Sequence, residues 1–172
     1  MQWIVRAEIG SDHDAIDRVN RLAFGQDNEG RLVRALRCLP EFLPDLSLVA
    51  EAERTIVGHI LFTPIHIRGS TPPVPALALA PMAVLPDWQR RGVGSSLVRE
   101  GIDRCRRLGH ARIIVLGHTE YYPRFGFVPA SSFGIRAPFP VPDDAFMAMA
   151  LQPDAFAQCI GVVEYPPAFS DV

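Results

Sequence analysis

The amino-terminal part of the chain changes from a β-like to a helical pattern of hydrophobic residues. The run from Trp3 to Glu8 is rich in β-forming residues and predicts a strand. Ser11 then precedes a stretch whose apolar residues recur every three or four positions, which predicts a helix with Ser11 as its N-cap. The apolar residues on one side of that helix are Ile16, Val19 and Leu22. A second helix is expected over about residues 29–38.

Two β-rich runs, LSLVAEAE and TIVGHILFTPIHI, follow and predict an antiparallel hairpin that turns at Arg54. We expect the histidines of the second run, His59 and His66, at the surface of the sheet. The next run, ALALAPMAV, predicts a buried strand. Because the proline in it, Pro81, cannot donate a ladder hydrogen bond, we expect this strand to separate from one neighbour there.

The centre of the chain carries a strand, helix and strand pattern. The helix is predicted from about Gly94 to Leu108, with Gly109 as its stop. The apolar run ARIIVLG after it predicts a central strand, parallel to the strand before the helix. FMAMAL and GVVEY predict closing strands. The pattern therefore predicts one mixed α/β domain over residues 1–172, with a central mixed sheet of about six or seven strands and about four helices.

Composition and charge narrow the classes of function. The chain has 172 residues, 48% of them hydrophobic, and a formal net charge of −2, so nothing global favours nucleic acid or an acidic membrane as a partner. Its three widely spaced cysteines argue against a disulfide framework or a zinc site and suit a reducing cytoplasm, where we expect the protein to reside. The amino terminus lacks an apolar signal core, and the most apolar run is too short to span a bilayer.

The segment QRRGVG, residues 89–94, lies between a predicted strand and the first turn of a predicted helix. Free backbone N–H groups and the positive end of the helix dipole favour an anion there. Gly92 and Gly94 lack the Cβ atoms that would hold a phosphate away from those amides, while Arg90 and Arg91 can add charge-assisted contacts. The alternative is that the glycines only ease packing of the helix on the sheet and the arginines are solvated.

Two segments together carry a resemblance to a known family. QRRGVG resembles the Q/R-x-x-G-x-G/A acetyl-CoA signature of the Gcn5-related N-acetyltransferase (GNAT) superfamily, and YYPRFGF, residues 121–127, is similar to the tyrosine-rich segment ending in Gly-Phe in that superfamily. The resemblance covers roughly residues 4–165 and extends to a bacterial subgroup of predicted acetyltransferases. It implies an acyltransferase that moves acetyl from acetyl-CoA to a primary amine by direct attack in a ternary complex, without a metal.

The resemblance also implies how acetyl-CoA is bound. The pyrophosphate would rest on the amides from Arg90 to Ser95, and the pantetheine arm would pair with the backbone of residues 82–84. A backbone N–H near Met82 or Ala83 would stabilise the oxyanion that forms when the amine attacks. The expected cofactor-binding residues are Met82, Ala83, Val84, Gln89, Arg90, Arg91, Gly92, Val93, Gly94 and Ser95.

The tyrosine segment implies Tyr122 as the general acid that protonates the departing thiolate, and an aromatic residue packed under the cofactor is the alternative. Many relatives carry a glutamate four residues before the valine that ends the cofactor strand, where this chain has Ala80. The base must then be another group or act through water. Glu29 and His118 are the candidates, although the first suits a helix start and the second a solvated loop.

The sequence is also compatible with other functions. The missing glutamate favours, as the alternative, a non-catalytic acyl-CoA-binding regulatory module that binds acetyl-CoA without turnover. A nucleic-acid-binding protein is disfavoured by the acidic balance of the chain. The acceptor cleft is expected to involve residues 24–36 and the loops RGSTPPVPA and SSFGIRAPFPVPDDAF, and the acceptor is a small metabolite, an antibiotic, or a protein or peptide amino group. A homodimer is common in the superfamily.

Overall fold

The computed structural model describes residues 1–69 and 71–172. Within them lie three α-helices, α1 (His13–Phe24), α2 (Asn28–Arg37) and α3 (Val93–Arg107). Nine strands form one mixed sheet: β1 (Ile4–Ala7), β2 (Ser47–Ala52), β3 (Thr55–Arg68), β4 (Val74–Val84), β5 (Arg112–Leu116), β6 (Val128–Pro129), β7 (Ile135–Arg136), β8 (Phe146–Ala150) and β9 (Gly161–Glu164).

The mixed α/β fold is confirmed, but the predicted numbers of elements were wrong. The described residues contain three α-helices instead of about four, and nine strands instead of six or seven. The unpredicted strands β6 and β7 have two residues each, which is too short to leave a periodic hydrophobic pattern.

The strands occur in the order β1-β2-β3-β4-β5-β8-β6, with β9 paired to β3 and β7 paired to β9. The hairpin of β2 and β3 is antiparallel, as predicted, and its turn has two left-handed residues, Glu53 and Arg54. β4 and β5 are parallel, as expected for strands joined by a helix. No helix in the described ranges is long and apolar enough to cross a membrane.

The chain divides into two compact units. The first unit comprises Met1–Thr63, Ala80–Arg104 and Pro167–Val172, and the second comprises Pro64–Leu79 and Cys105–Pro166. The expectation of one domain over residues 1–172 stays a prediction.

Within the first unit, neighbouring residues of β3 face different helices. A Cβ at Gly58 would lie 2.9 Å from Leu97 of α3, whereas the next residue, His59, contacts Asn20 of α1. Because successive strand residues point to opposite faces, α1 and α3 cover opposite faces of β3. α3 approaches the strand so closely that a Cβ at Gly101 would lie 2.5 Å from a ring atom of Phe62.

The prediction that His59 lies at the sheet surface was wrong, because its side chain is completely buried. Its Nε2 lies 3.0 Å from the Ser47 hydroxyl, which donates to Glu8, and its Nδ1 lies 3.4 Å from the Asn20 amide. Arg37 neutralises Glu8 across 2.7 Å. Burial, with a smaller contribution from Arg37, lowers the pKa of His59 to about 4 against the opposing charge of Glu8, so the ring is neutral. Neutral His59 can therefore donate to Ser47 and accept from Asn20.

The start of α1 also differs from the prediction. Ser11 lies in a 3₁₀ turn, and Asp12 occupies the N-cap position. The carboxylate of Asp12 forms an ion pair with Arg6 at 2.7 Å and accepts from the N–H of Ile9 at 2.8 Å. Arg6 and the extended entry of the chain thus fix the helix start, which a local capping pattern does not reveal.

Two leucines at the carboxyl-terminal ends of predicted helices are exposed. Leu22 is 44% and Leu108 is 51% exposed. Leu22 lies in the last turn of α1, and Leu108 follows the end of α3 at Arg107. Helical spacing therefore identified the buried face in the middle of each helix but not at its carboxyl-terminal end. His66 is exposed, as predicted.

Within the second unit, β5 pairs with β8 from Arg112↔Ala150 to Leu116↔Phe146. Its parallel ladder with β4 comprises two pairs in the described part of the chain, Leu77↔Ile113 and Ala78↔Ile114. That ladder ends before β4 reaches its proline, as expected for a residue without an N–H group.

Candidate functional site

The predicted cofactor-binding residues lie at the end of β4, in the turn between β4 and α3, and in the first turn of α3. The N–H of Leu85 donates to the carbonyl of Val57 at 2.9 Å, which ties the end of β4 to β3. A 3₁₀ turn over Pro86–Trp88 follows, and then a turn over residues 89–92. The Gln89 amide donates to the carbonyl of Val84 at 3.0 Å and closes the connection.

The backbone of this turn is arranged to present N–H groups. Arg90 has φ +60° and Gly92 has φ +95°, while Arg91 between them does not adopt positive φ. Successive residues that alternate between right- and left-handed conformations make their N–H groups converge on a concavity that binds anions. We call residues 90–92 the left-handed turn.

The first turn of α3 continues the same row of donors. The N–H of Ser96 donates to the carbonyl of Gly92 at 3.0 Å, which is the first α-helical hydrogen bond. The N–H groups of Val93, Gly94 and Ser95 precede that bond and have no carbonyl one turn earlier in the helix. The positive end of the helix dipole adds to the attraction for an anion.

Gly92 is required for its backbone conformation. A Cβ there would lie 3.8 Å and 3.9 Å from two ring atoms of Trp3, which are ordinary van der Waals distances. Its φ of +95° is one that residues with a Cβ rarely adopt. The backbone conformation is thus one reason for glycine at this position, and clearance for a phosphate stays a prediction.

The two arginines of the turn have different surroundings. The guanidinium of Arg91 lies 5.8 Å from the centre of the Trp88 ring and 3.7 Å from the sulfur of Met1. Arg90 is exposed at the left-handed turn. Aromatic and sulfur contacts thus direct Arg91 towards the amino terminus of the chain.

The N–H and carbonyl groups at the end of β4 point alternately towards β3 and away from it. Leu85 points its N–H at β3, and Ala83, two residues earlier, has its carbonyl on the Gly58 side. Since strand residues alternate, Met82 and Val84 direct their N–H and carbonyl groups away from β3. The Val84 carbonyl accordingly accepts from Gln89 and not from β3.

Glu29 lies in the first turn of α2 and is 9% exposed. The amide of Gln26 donates to both of its carboxylate oxygens, at 3.1 Å and 3.3 Å. This buried carboxylate is thus held by a neutral donor, and its negative charge lies at the favourable end of the helix dipole.

Tyr122 lies in the second unit, at the start of a 3₁₀ turn that ends at Phe125. Its ring is buried edge-to-face against Phe127, with centroids 5.7 Å apart, and against Tyr121 at 5.1 Å. A Cβ at Gly117 would lie 2.8 Å from one atom of this ring and closer still to the next. Burial, and secondarily Tyr121, raises the pKa of Tyr122 above its ordinary value, so the hydroxyl keeps its proton at neutral pH.

The neighbours of Tyr122 differ from it in exposure and contacts. The guanidinium carbon of Arg124 lies 4.4 Å from the centre of the Tyr121 ring, so that ring packs against a cation at the surface. His118 is exposed, and its carbonyl accepts from the N–H groups of Tyr121 and Tyr122 at 3.1 Å and 3.4 Å. The His118 backbone thus shapes the turn that carries Tyr122.

Sequence reasoning missed three residues that shape these turns. Trp3 lies beside the left-handed turn, the Trp88 ring lies 5.8 Å from the Arg91 guanidinium, and Gly117 makes room for the Tyr122 ring. Gly117 could have been noticed as the glycine that ends an otherwise apolar strand. Trp3 is 89 positions from Gly92, and no local pattern connects residues so distant in sequence.

Comparisons with known proteins agree on a family. The model of the acetyltransferase (GNAT) family matches residues 15–127. YjhQ of Escherichia coli K12, an uncharacterized N-acetyltransferase, is 43% identical over 135 residues, which are 78% of this chain and 75% of that protein. YhbS of the same strain, also an uncharacterized N-acetyltransferase, is 33% identical over 168 residues, which are 97% of this chain and 98% of that protein.

Solved structures lead to the same conclusion. The crystal structure of Escherichia coli YhbS in complex with CoA matches with a TM-score of 0.90 at 33% identity, covering 99% of this chain and 93% of that one. A GNAT acetyltransferase from Brucella melitensis in complex with acetyl-CoA matches with a TM-score of 0.80 at 33% identity, covering 98% of both chains. The predicted cofactor is thus the one that these relatives carry, and the chain belongs to the GNAT family of acetyltransferases.

Proposed function

We propose that the protein transfers the acetyl group of acetyl-CoA to a primary amine, by direct attack of the amine in a ternary complex. The observation that carries this proposal is the left-handed turn at the start of α3, which presents backbone donors to an anion in a chain of the GNAT family. The CoA and acetyl-CoA bound to the two similar structures support the choice of that anion.

The pyrophosphate of coenzyme A would accept hydrogen bonds from the amides from Arg90 to Ser95. Gln89 supports this site indirectly, because its side chain fastens the turn to β4. The exposed Arg90 would add positive charge beside the phosphates, and Arg91 would act from the side of Trp88.

The pantetheine arm would pair with the backbone of β4 over residues 82–84. The N–H and carbonyl groups of Met82 and the N–H of Val84 point away from β3, which leaves them for a ligand. The Val84 carbonyl already accepts from Gln89, and Ala83 faces β3. Of the two expected oxyanion donors, Met82 is therefore the one we choose. Its N–H would stabilise the negative charge that develops on the thioester oxygen.

Tyr122 would be the general acid, a role that rests on its place in YYPRFGF and on the proton that its buried hydroxyl keeps. The amine nitrogen forms a bond to the acetyl carbon, the carbon–sulfur bond breaks, and the sulfur takes one proton while the nitrogen loses one. A phenol, with an ordinary pKa of about 10, is a weaker acid than a thiol, with about 8.5, so Tyr122 would first donate a hydrogen bond to the sulfur as its charge develops and then pass it the proton. The proton that the base takes from the nitrogen would return to Tyr122.

Glu29 and His118 stay the candidates for the base, because this chain has Ala80 where many relatives have a glutamate. Glu29 offers a buried carboxylate whose present donor, Gln26, is neutral. His118 offers an exposed imidazole. Glu29→Gln and His118→Gln distinguish the two candidates. Only replacement of the true base should slow proton removal from the amine and so lower the rate of acetyl transfer.

The absence of a carboxylate at residue 80 supports a second candidate function, a regulatory module that binds acyl-CoA without turnover. The two functions differ in one measurable respect, namely whether free thiol is released from acetyl-CoA when an amine is present. A homodimer stays a prediction for either function.

The test is a calorimetric titration with acetyl-CoA and with a 3′,5′-diphosphate nucleotide that lacks the pantetheine arm. We expect acetyl-CoA to bind more tightly than the nucleotide, because both the turn and β4 contribute. Screening small amines and peptides for thiol release then separates catalysis from binding alone. Absence of binding to both ligands would contradict the proposed function.

A further inference from the structure

We propose that Trp3 is a positioning residue for coenzyme A binding, because its indole ring supports the left-handed turn from the side. This inference rests on the proposed function of that turn. Trp3 precedes β1 and lies outside the 15–127 segment that the family model matches, so membership of the family does not assign it a role.

Strand register places Trp3 on the side of the sheet that faces α3. Val5 pairs with Ala50, which pairs with Gly58, the residue packed against α3. Trp3 is two residues before Val5 and therefore lies on the same face. Its Cζ2 and Cη2 atoms lie 3.8 Å and 3.9 Å from the position that a Cβ at Gly92 would occupy, so the six-membered ring bounds the open space on the side-chain side of Gly92.

The turn needs such support because its conformation is intrinsically unfavourable. Arg90 has a Cβ and yet adopts φ +60°, which an isolated chain populates rarely. A turn that relaxed before binding would have to be reordered by the ligand, which weakens affinity. A rigid indole ring that bounds the space beside Gly92 would limit that relaxation.

A second contact holds the same turn from the same part of the chain. The guanidinium of Arg91 lies 3.7 Å from the sulfur of Met1 and 5.8 Å from the centre of the Trp88 ring. Both tryptophans of the chain therefore lie beside the left-handed turn. Because indole fluorescence responds to its surroundings, the chain contains its own probe of coenzyme binding.

The experiment compares Trp3→Ala, Trp3→Phe and the matched control Ile4→Ala. Ile4 is the next residue along β1, and its side chain is exposed on the opposite face. The dissociation constant for coenzyme A is measured by calorimetry, and thermal unfolding of each variant is recorded. Trp3 fluorescence is followed in Trp88→Phe, which leaves Trp3 as the single tryptophan and keeps an aromatic ring near Arg91.

We expect Trp3→Ala to weaken coenzyme A binding about tenfold, which corresponds to about 1.4 kcal/mol. Trp3→Phe should restore most of the affinity, and Ile4→Ala should match the wild type. The change in Trp3 fluorescence on adding coenzyme A should saturate with the same dissociation constant that calorimetry gives. Should Trp3→Ala unfold, the phenylalanine variant and the fluorescence titration still decide.

Two results would overturn the inference alone: wild-type affinity in a folded Trp3→Ala, or Trp3 fluorescence that saturating coenzyme A does not change. If the wild-type protein does not bind coenzyme A, both the proposed function and this inference are wrong.

Discussion

Gly92 and Gly117 both lie in turns that carry candidate site residues, yet the chain requires glycine at the two positions for opposite reasons. At Gly92 there is room for a Cβ, 3.8 Å from the nearest atom of Trp3, but the backbone has φ +95°. At Gly117 the backbone does not have positive φ, but a Cβ would overlap the ring of Tyr122. One glycine thus provides a conformation for backbone donors, and the other provides space for a side chain.

This difference predicts which substitutions each turn tolerates. A residue with a Cβ in the left-handed region costs about 1–2 kcal/mol and leaves the neighbours in place. An added Cβ in a packed interior costs about 1–3 kcal/mol, and more where the neighbour cannot move. The effect on folding should therefore be larger at Gly117, and the effect on the anion site should be confined to Gly92.

Gly117→Ala should have the largest effect. We expect it to lower the free energy of unfolding by about 3 kcal/mol and to displace the Tyr122 ring, so the rate of acetyl transfer should also fall. Denaturant unfolding and an acetyl-transfer assay measure the two effects. Gly10→Ala is the matched control, because a Cβ there has no atom within 4 Å among the described residues and its φ is not positive. Equal stability of the two variants would contradict the close packing at Gly117.

Tyr122→Phe should lower turnover about a hundredfold while the dissociation constant for acetyl-CoA is unchanged. Burial raises the pKa of Tyr122, so its hydroxyl stays protonated to above pH 10. The ratio of the wild-type and variant rates should therefore be constant from neutral pH to about pH 10. A ratio that falls across that range would indicate an acid with an ordinary or lowered pKa. Equal rates would mean that the thiolate leaves without help from Tyr122.

Gly92→Ala should lower the free energy of unfolding by about 1–2 kcal/mol and weaken coenzyme A binding at least tenfold, because relaxing φ rotates the N–H groups of the turn. Gly109→Ala is the matched control, since Gly109 has φ +86° and no atom within 4 Å of its Cβ position in the described part of the chain. Both variants should lose similar stability, measured by denaturant unfolding, but only Gly92→Ala should lose affinity in calorimetry. Equal affinities would separate the turn from the coenzyme site.

Periodicity and turn chemistry were sufficient to predict the α-helices and the strands that are four or more residues long. They located the β2–β3 hairpin, the parallel pair of β4 and β5, and the helix between those two strands. They did not predict β6 and β7, because two residues have no period. His59 was wrongly predicted at the sheet surface because helices cover both faces of β3. The polar partners of the His59 ring come from β2 and α1.

The candidate site was predictable to the extent that it is local in sequence. QRRGVG contains the turn, its two left-handed residues and the start of α3, so one segment was enough to indicate an anion site. The position of Trp3 beside Gly92, and the difference in backbone direction between Met82 and Ala83, depend on strand pairing. They became visible only with the register of the sheet.

Arg90→Gly should have the smallest effect and tests whether Arg90 is kept for its charge. Arg90 has φ +60°, a conformation in which glycine would be unstrained. Relief of backbone strain should stabilise the Arg90→Gly variant by about 1 kcal/mol, which offsets the conformational entropy that glycine adds to the unfolded state. Stability should change by less than about 0.5 kcal/mol, whereas coenzyme A affinity should fall about threefold at low salt and by less at high salt. Arg91→Gly is the contrast, because it relieves no strain and loses the contacts with Trp88 and Met1, so it should destabilise by about 1 kcal/mol. Denaturant unfolding and calorimetry at two salt concentrations measure both variants. A larger loss of stability for Arg90→Gly than for Arg91→Gly would show that contacts of the Arg90 side chain outweigh the backbone strain at that position.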